Sequence, residues 1–136
     1  MRKPGMPKIC IVVLLILLGK ASLALAENEL LSEEFRACMD AAESSVAMSI
    51  CLAEETQKQD ARLNEAYEEL MCKLPRDEQM ALYEAQLAWI KFRGTYSDFL
   101  YEHEKGNMGL VTSGYWYVYC TAEQARQLEF LLEDDD

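Results

Sequence analysis

Apolar residues recur at every third or fourth position along most of the chain after residue 28, which is the spacing of one face of an α-helix. The pattern predicts a first helix from about Glu29 to Glu43, a second from about Ser45 to Lys73, and a third that follows Pro75 and ends near Lys105. Ser44 and Ser45 separate the first two helices, and either serine can cap a helix by accepting a backbone N–H bond. Proline suits the first turn of the third helix. We therefore expect an all-α fold in which two long helices form an antiparallel hairpin.

The stretch from 106 to 119 departs from this pattern, because it combines three glycines with the aromatic group Tyr115-Trp116-Tyr117-Val118-Tyr119. This composition predicts an ordered loop. The sequence Thr121-Ala122-Glu123-Gln124 predicts a capping box that opens a last helix. Residues 133–136 (EDDD) are predicted to be a frayed acidic tail. One short helix is thus expected before the hairpin and another after it.

The first 26 residues predict a cleaved export signal. The positive start contains Arg2, Lys3 and Lys8, and the apolar core is Ile9–Leu18. The small-x-small cleavage pattern is Ala24-Leu25-Ala26. A membrane anchor is the alternative interpretation, but spanning a bilayer takes roughly 20 apolar residues. Cys10 lies inside the apolar run rather than just after it, which argues against a lipid anchor. We therefore expect residues 27–136 to form one domain in the periplasm or outside the cell, without a stable membrane anchor.

Removal of this segment makes the chain more acidic. The whole sequence has a net charge of −11, and four of its 13 Lys and Arg residues lie within residues 1–26, which contain no Asp or Glu. The remaining 9 basic and 24 acidic residues give a net charge of −15. Such a charge repels nucleic acid and anionic lipid and attracts cationic partners, while simple solubility is the alternative explanation.

Four cysteines remain after residue 26, namely Cys38, Cys51, Cys72 and Cys120. In an oxidising compartment they predict two disulfides, with three possible pairings. One straight helix would hold Cys38 and Cys51 roughly 20 Å apart, whereas a disulfide needs Cα atoms about 4.4–6.8 Å apart. Either the chain reverses near Ser44 or these two are not bonded, and the serine pair favours reversal. Cys72 would then pair with Cys120.

Two ordered motifs lie between the flanking cysteines. They are D-x-x-L-N-x-x-Y, formed by Asp60, Leu63, Asn64 and Tyr67, and Q-x-x-W-x-x-F-R, formed by Gln86, Trp89, Phe92 and Arg93. With these motifs, the chain from about Phe35 to Leu128 resembles the LprI-type lysozyme-inhibitor domain, a family of small exported bacterial proteins. The resemblance implies an all-helical fold, export, disulfides and, for some members, binding and inhibition of lysozyme.

The chain departs from the family pattern at three positions. Tyr96 stands where the family usually has a cysteine, Gly94 replaces a frequent acidic residue, and Ala47 replaces the glutamate of a capping box. The first departure removes one cysteine of the usual second disulfide, and the other two remove local support for helices.

The motif residues lie at helical spacing, so each motif occupies one face of its helix. In an antiparallel hairpin these faces meet, which predicts Asn64 near Gln86 and Asp60 near Arg93. An unsatisfied polar group in such a seam costs roughly 1–3 kcal/mol. We therefore favour a structural role for the motifs, with a ligand or partner site as the alternative.

Recognition of a partner is predicted for a different set of side chains. Tyr and Trp are enriched at binding hot spots, and acidic residues near the aromatic group suit a cationic partner. The predicted partner-binding residues are Glu102, Glu104, Tyr115, Trp116 and Tyr117. The alternative is that the aromatic side chains close the end of the helical bundle.

Enzyme chemistry has little support in the sequence. His103, the only histidine, lies in a polar stretch without a neighbouring nucleophile and is expected to be solvated. The acidic pairs, such as Glu54-Glu55, are adjacent in sequence, so their side chains point apart on a helix. No zinc or EF-hand ligand spacing occurs. We predict no catalytic residue, metal or cofactor.

The predicted function is that of an exported acidic protein that binds another protein, with inhibition of a cationic lysozyme-type muramidase favoured. The alternative is an exported envelope interaction or stress protein with a different protein partner.

Overall fold

The computed structural model describes residues 30–133, and within that range the chain forms four α-helices and no strand. These are α1 (Glu33–Ala41), α2 (Ser45–Lys73), α3 (Arg76–Glu104) and α4 (Gly106–Glu133). The prediction of an all-α fold is confirmed. The predicted export signal and residues 134–136 of the predicted tail lie outside the described residues, while Glu133 is the last residue of α4.

A capped reversal joins α1 to α2. The Ser44 hydroxyl accepts a hydrogen bond from the backbone N–H of Ala47 at 3.2 Å and so caps α2. The reversal brings the Cα atoms of Cys38 and Cys51 to 5.8 Å, and the two residues form a disulfide. Both the reversal near Ser44 and this pairing are confirmed.

A buried carboxylate holds the beginning of α1 against α2. Glu55, which is 1% exposed, accepts hydrogen bonds from the Ser32 amide at 2.8 Å, the Ser32 hydroxyl at 2.5 Å and the Gln59 amide at 2.8 Å. The Ser32 hydroxyl also caps α1 by accepting from the Phe35 N–H at 3.1 Å. Burial acts to raise the pKa of Glu55, but the hydrogen bonds from Ser32 and Gln59 outweigh it, so the pKa lies below its usual value.

Replacing Glu55 with glutamine is expected to lower the free energy of unfolding by about 1–3 kcal/mol near neutral pH, because a charged acceptor of three hydrogen bonds is lost. The lowered pKa makes this contribution complete above the ordinary glutamate pKa of about 4.3. The contribution disappears as the pH falls through the lower pKa of the folded protein. Urea unfolding between about pH 7 and about pH 2.5 measures this contribution to stability. Glu54→Gln, at an exposed position, is the control. A difference for Glu55→Gln that stays constant over this range would contradict the assignment.

The connection between α2 and α3 is short and also capped. Leu74 and Pro75 separate the helices, and the Gln79 side chain donates to the carbonyl oxygens of Met71 and Leu74 at 2.9 Å each. These bonds satisfy carbonyl groups that the end of a helix leaves without partners. They fix the turn after which α3 runs antiparallel to α2.

The predicted loop over 106–119 is wrong, because α4 begins at Gly106 and continues through the aromatic group. The chain reverses between α3 and α4 with positive φ at Lys105 (57°) and Gly106 (59°). Gly109 allows α4 to approach α3 closely, because a Cβ atom at this position would lie 2.6 Å from the carbonyl oxygen of Tyr101 on α3. These glycines therefore form the turn and the helix contact rather than break the helix.

The predicted capping box at Thr121 is also wrong, because Thr121 is fully buried in the middle of α4. Its hydroxyl donates to the Tyr117 carbonyl at 2.8 Å, one helical turn back. A stripe of apolar or small side chains runs along this helix at spacings of three and four. Its buried members include Val111, Val118, Ala122, Ala125 and Leu128.

This stripe places α4 against both long helices. Gly114 lies against Leu52, and Ala125 and Leu128 pack with Leu63, Ala66 and Leu70, so α4 runs parallel to α2. The Ser97 hydroxyl donates to the Ser113 carbonyl at 3.1 Å, and Gln124 donates to Gln86 at 3.0 Å, so α4 runs antiparallel to α3. The last helix is thus longer than predicted and contributes a large share of the core.

The predicted Cys72–Cys120 disulfide is wrong, because both cysteines are free. Thr121, beside Cys120, hydrogen bonds to the Arg93 that pairs with Asp60 on α2. Cys72 lies twelve residues beyond Asp60, which corresponds to about 18 Å along a helix. Because α2 and α4 are parallel, this offset separates the two thiols beyond the reach of a disulfide.

No helix in residues 30–133 has the length and apolar character needed to cross a membrane.

Candidate functional site

A groove between α2 and α3 contains most of the motif side chains. Its volume is about 210 Å³. The motif residues that line it are Asp60, Leu63, Asn64, Tyr67, Gln86 and Arg93. The remaining lining side chains belong to α3 and are large and exposed, namely Tyr83, Leu87 and Ile90. The two motifs, which lie on different helices, therefore form one surface. We call it the motif groove.

Arg93 forms the polar centre of this groove. Its side chain is 9% exposed, and its Nη1 atom donates to Asp60 at 3.1 Å and to Thr121 at 2.7 Å. The guanidinium carbon lies 4.6 Å from the ring centre of Trp89 and 4.1 Å from that of Tyr117. Both contacts are cation–π interactions, which gain strength away from water. The predicted Asp60–Arg93 pair is confirmed.

The predicted neighbour pair Asn64 and Gln86 is not hydrogen bonded. The Gln86 Oε1 atom instead accepts from the Gln124 amide of α4 at 3.0 Å, while Asn64 is exposed. Both side chains still line the motif groove. Helix α4, rather than α2, therefore supplies the hydrogen-bond partner of Gln86.

The structure divides the predicted partner-binding residues among several surfaces. Glu102 and Glu104 are exposed near the end of α3, and Tyr115 packs on Phe35 of α1 with ring centres 6.1 Å apart. Tyr117 lies against Arg93, and Trp116 contacts α3. Successive helical residues point about 100° apart, so neighbours in sequence cannot share one face. His103 is exposed, as predicted.

A strip of neighbouring aromatic rings lies on a face of α3 different from the one that lines the motif groove. It consists of Phe92, Tyr96 and Phe99, with Trp116 of α4 beside them. Tyr96 lies 5.8 Å from Phe92, 5.6 Å from Phe99 and 4.7 Å from Trp116, measured between ring centres. The three α3 rings are exposed. We call this surface the aromatic strip.

This strip was not among the surfaces predicted from the sequence. Its α3 members are spaced by four and three residues, which is a second helical stripe beside the buried one. That spacing was the signal available in the sequence. Neighbouring rings of the strip contact one another along one face of the helix.

The two free thiols of the described residues lie in different surroundings. Burial raises the pKa of the Cys120 thiol, although Arg93 acts to lower it, and thiolate chemistry requires a lowered value. Cys72 is exposed at the end of α2. Within the described part of the chain, no three His, Cys, Asp or Glu side chains converge where they could hold a metal ion.

The sequence that forms these helices, the disulfide and the motifs matches a known protein family. A family model described as lysozyme inhibitor LprI matches residues 38–129, which is more than half of the chain. The chain belongs to the LprI lysozyme-inhibitor family. The matched range contains the Cys38–Cys51 disulfide and both motifs. No curated protein and no solved structure matches the chain.

Proposed function

We propose that this protein is an exported inhibitor that binds a lysozyme-type muramidase as a protein partner. Membership of the LprI family supports this proposal at the level of the family, which is one of inhibitors rather than enzymes. The observation that carries the proposal in the structure is the aromatic strip.

The aromatic strip has the properties of a binding hot spot. Aromatic side chains dominate such hot spots because they offer a large contact area and lose little conformational freedom on binding. Phe92 and Phe99 are each more than half exposed, which leaves apolar area for a partner to cover.

The charge of the protein suits a lysozyme partner. Lysozymes of the common host type are cationic, whereas residues 27–136 carry 24 acidic and 9 basic residues. Opposite net charges accelerate encounter, and added salt reduces this effect. Glu102 follows Phe99 by one helical turn and is exposed, so it lies close to the strip. We propose that Glu102 and Glu104 orient the partner while the rings make the contact.

The test is a lysis assay, in which purified residues 27–136 are mixed with a cationic lysozyme and a suspension of bacterial cell walls in low salt. The unchanged sequence is expected to slow clearing of the suspension. Phe99→Ala is expected to weaken inhibition at least about tenfold, because a hot-spot side chain contributes more than about 1.4 kcal/mol. Added salt is expected to weaken it further.

Phe130→Ala is the matched control. Phe130 lies on α4 and is 59% exposed, whereas Phe99 is 53% exposed. The control is expected to inhibit as well as the unchanged protein. Full lysis in the presence of a several-fold excess of the unchanged protein rejects the function, whereas equal losses from the two substitutions reject the aromatic strip as the contact.

A further inference from the structure

Helix α3 carries a row of large apolar side chains that the described part of the chain leaves exposed. The row consists of Met80, Tyr83, Leu87 and Ile90, and Gly94 continues it. These five residues alternate between spacings of three and four, which is the heptad pattern of a helix that packs along a second helix. Three of them also line the motif groove. We call the five residues the α3 stripe.

The sizes of the side chains in the α3 stripe are complementary to one another. A Cβ atom at Gly94 would meet no neighbouring described side chain within 4 Å, so space is open beside it. In an antiparallel pair of α3 helices centred on Leu87, residues seven positions before and after the centre face each other. Met80 of one copy then fills the space over Gly94 of the other, and Tyr83 shares a layer with Ile90. A parallel pair would place Gly94 opposite Gly94 and leave a gap in the interface.

The charges along the edge of the α3 stripe fit the same pairing. Glu84 and Lys91 are exposed and each follows a stripe residue by one position, so both lie on the same side of the stripe. In the antiparallel pair Glu84 of one copy faces Lys91 of the other, and two-fold symmetry repeats this contact. At each end of the pair Asp77 faces Asp98 with Arg76 beside them, so the favourable charge contacts lie near the centre.

The extent of the stripe determines how strong such an interface can be. Residues 80 to 94 extend about 21 Å along a helix, which is less than a standard interface of about 800 Å² per partner needs. The α2 wall of the motif groove, with Asn64 and Tyr67, adds further area beside the stripe. The total favours a dimer of moderate affinity, with a dissociation constant on the order of 10 μM.

We propose that the partner of the α3 stripe is a second copy of this chain, which forms a two-fold dimer through antiparallel α3 helices. Leu87 of each copy meets Leu87 of the other on the symmetry axis, as in an isologous interface. The α3 helix of each copy also covers the motif groove of its partner. The aromatic strip lies on a different face of α3, so the dimer leaves it exposed.

Sedimentation equilibrium of residues 27–136 tests the dimer. Salt at about 0.5 M screens most of the repulsion between two acidic copies. Leu87→Arg places two positive charges together on the axis and is expected to raise the dissociation constant at least about tenfold. Leu110→Arg is the matched control, because Leu110 lies on α4 outside the groove lining and is 47% exposed, compared with 49% for Leu87. A monomer at about 0.5 mM protein, or equal weakening by the control, overturns the proposal.

Disulfide crosslinking in a glutathione buffer tests the register of the two helices. In a Cys72→Ala background, Leu87→Cys is expected to crosslink to itself. Ala85→Cys, which is exposed on nearly the opposite side of α3, is expected to remain monomeric. A mixture of the Met80→Cys and Gly94→Cys variants is expected to form the mixed dimer in preference to either like pair. Preferential crosslinking of Met80→Cys to itself contradicts the antiparallel arrangement. No lysozyme is present in either experiment, so failure of the dimer leaves the inhibitor function standing.

Discussion

Replacing Arg93 with methionine is expected to lower the free energy of unfolding by about 2–4 kcal/mol, because methionine keeps much of the side-chain volume but loses two cation–π contacts and two charged hydrogen bonds. The guanidinium joins all three long helices. It belongs to α3, it pairs with Asp60 on α2, and it contacts Thr121 and Tyr117 on α4. A single side chain that contacts three helices contributes to the alignment of each.

Urea unfolding at neutral pH measures this loss. Arg93→Lys keeps the positive charge but loses the planar group that lies between Trp89 and Tyr117. We expect the lysine variant to recover less than half of the lost stability. Arg126→Met is the control, because the only ion pair of Arg126 within residues 30–133 is with Glu123, three residues earlier on the same helix, and such pairs contribute about 0–1 kcal/mol. Full recovery by lysine would show that charge alone, rather than the stacked guanidinium, stabilises the bundle.

Local signals were sufficient to predict α1, α2 and α3. Their apolar stripes, the Ser44 cap and the Leu74-Pro75 break are contained within a few residues of sequence. The bounds of α2 and α3 follow these signals closely, whereas α1 begins only at Glu33, after the Ser32 cap, and ends at Ala41 rather than at the predicted Glu43. The Cys38–Cys51 pairing could be predicted for the same reason, because it depends only on the chain reversing between two adjacent helices.

The beginning of α4 could not be predicted from local signals alone. Glycines usually weaken a helix, but Gly109 allows contact with the Tyr101 carbonyl and Gly114 allows contact with Leu52. Tertiary packing therefore overrides the local preference. The useful signal was the small and apolar stripe from Val111 to Leu128, which continues without interruption through the supposed loop.

At the candidate site, too, some contacts could be predicted from local sequence signals and others depend on tertiary packing. The pairing of Asp60 with Arg93 followed from antiparallel neighbours and helical spacing, and it was right. The partner of Gln86 was missed because the packing of α4 against α3, which brings Gln124 to Gln86, is a tertiary contact that no local signal indicates. The Cys72–Cys120 pairing was wrong because it rested on elimination, with no geometric constraint between α2 and α4.

Removing the Cys38–Cys51 disulfide is expected to lower the free energy of unfolding by about 3 kcal/mol, since the bond closes a loop with a sequence separation of 13 and so restricts the unfolded chain. The double substitution Cys38→Ala and Cys51→Ala tests this in urea without adding a polar group at the buried Cys51 position. Cys72→Ala, which removes an exposed free thiol, is expected to change stability by no more than about 0.5 kcal/mol.

Thiol counting gives an independent measurement of the same structural feature. Alkylation of unfolded, unreduced residues 27–136 is expected to modify Cys72 and Cys120 and to spare the disulfide pair. Because α1 is short and is bound to α2 through this bond, the Ser32–Glu55 hydrogen bonds and the exposed Glu34–Lys58 ion pair, the double alanine variant should also lose α1 first. Faster amide exchange in residues 33–41, with α3 and α4 unchanged, is therefore the expected pattern. Four reactive thiols in the oxidised protein would contradict the pairing on which this prediction depends.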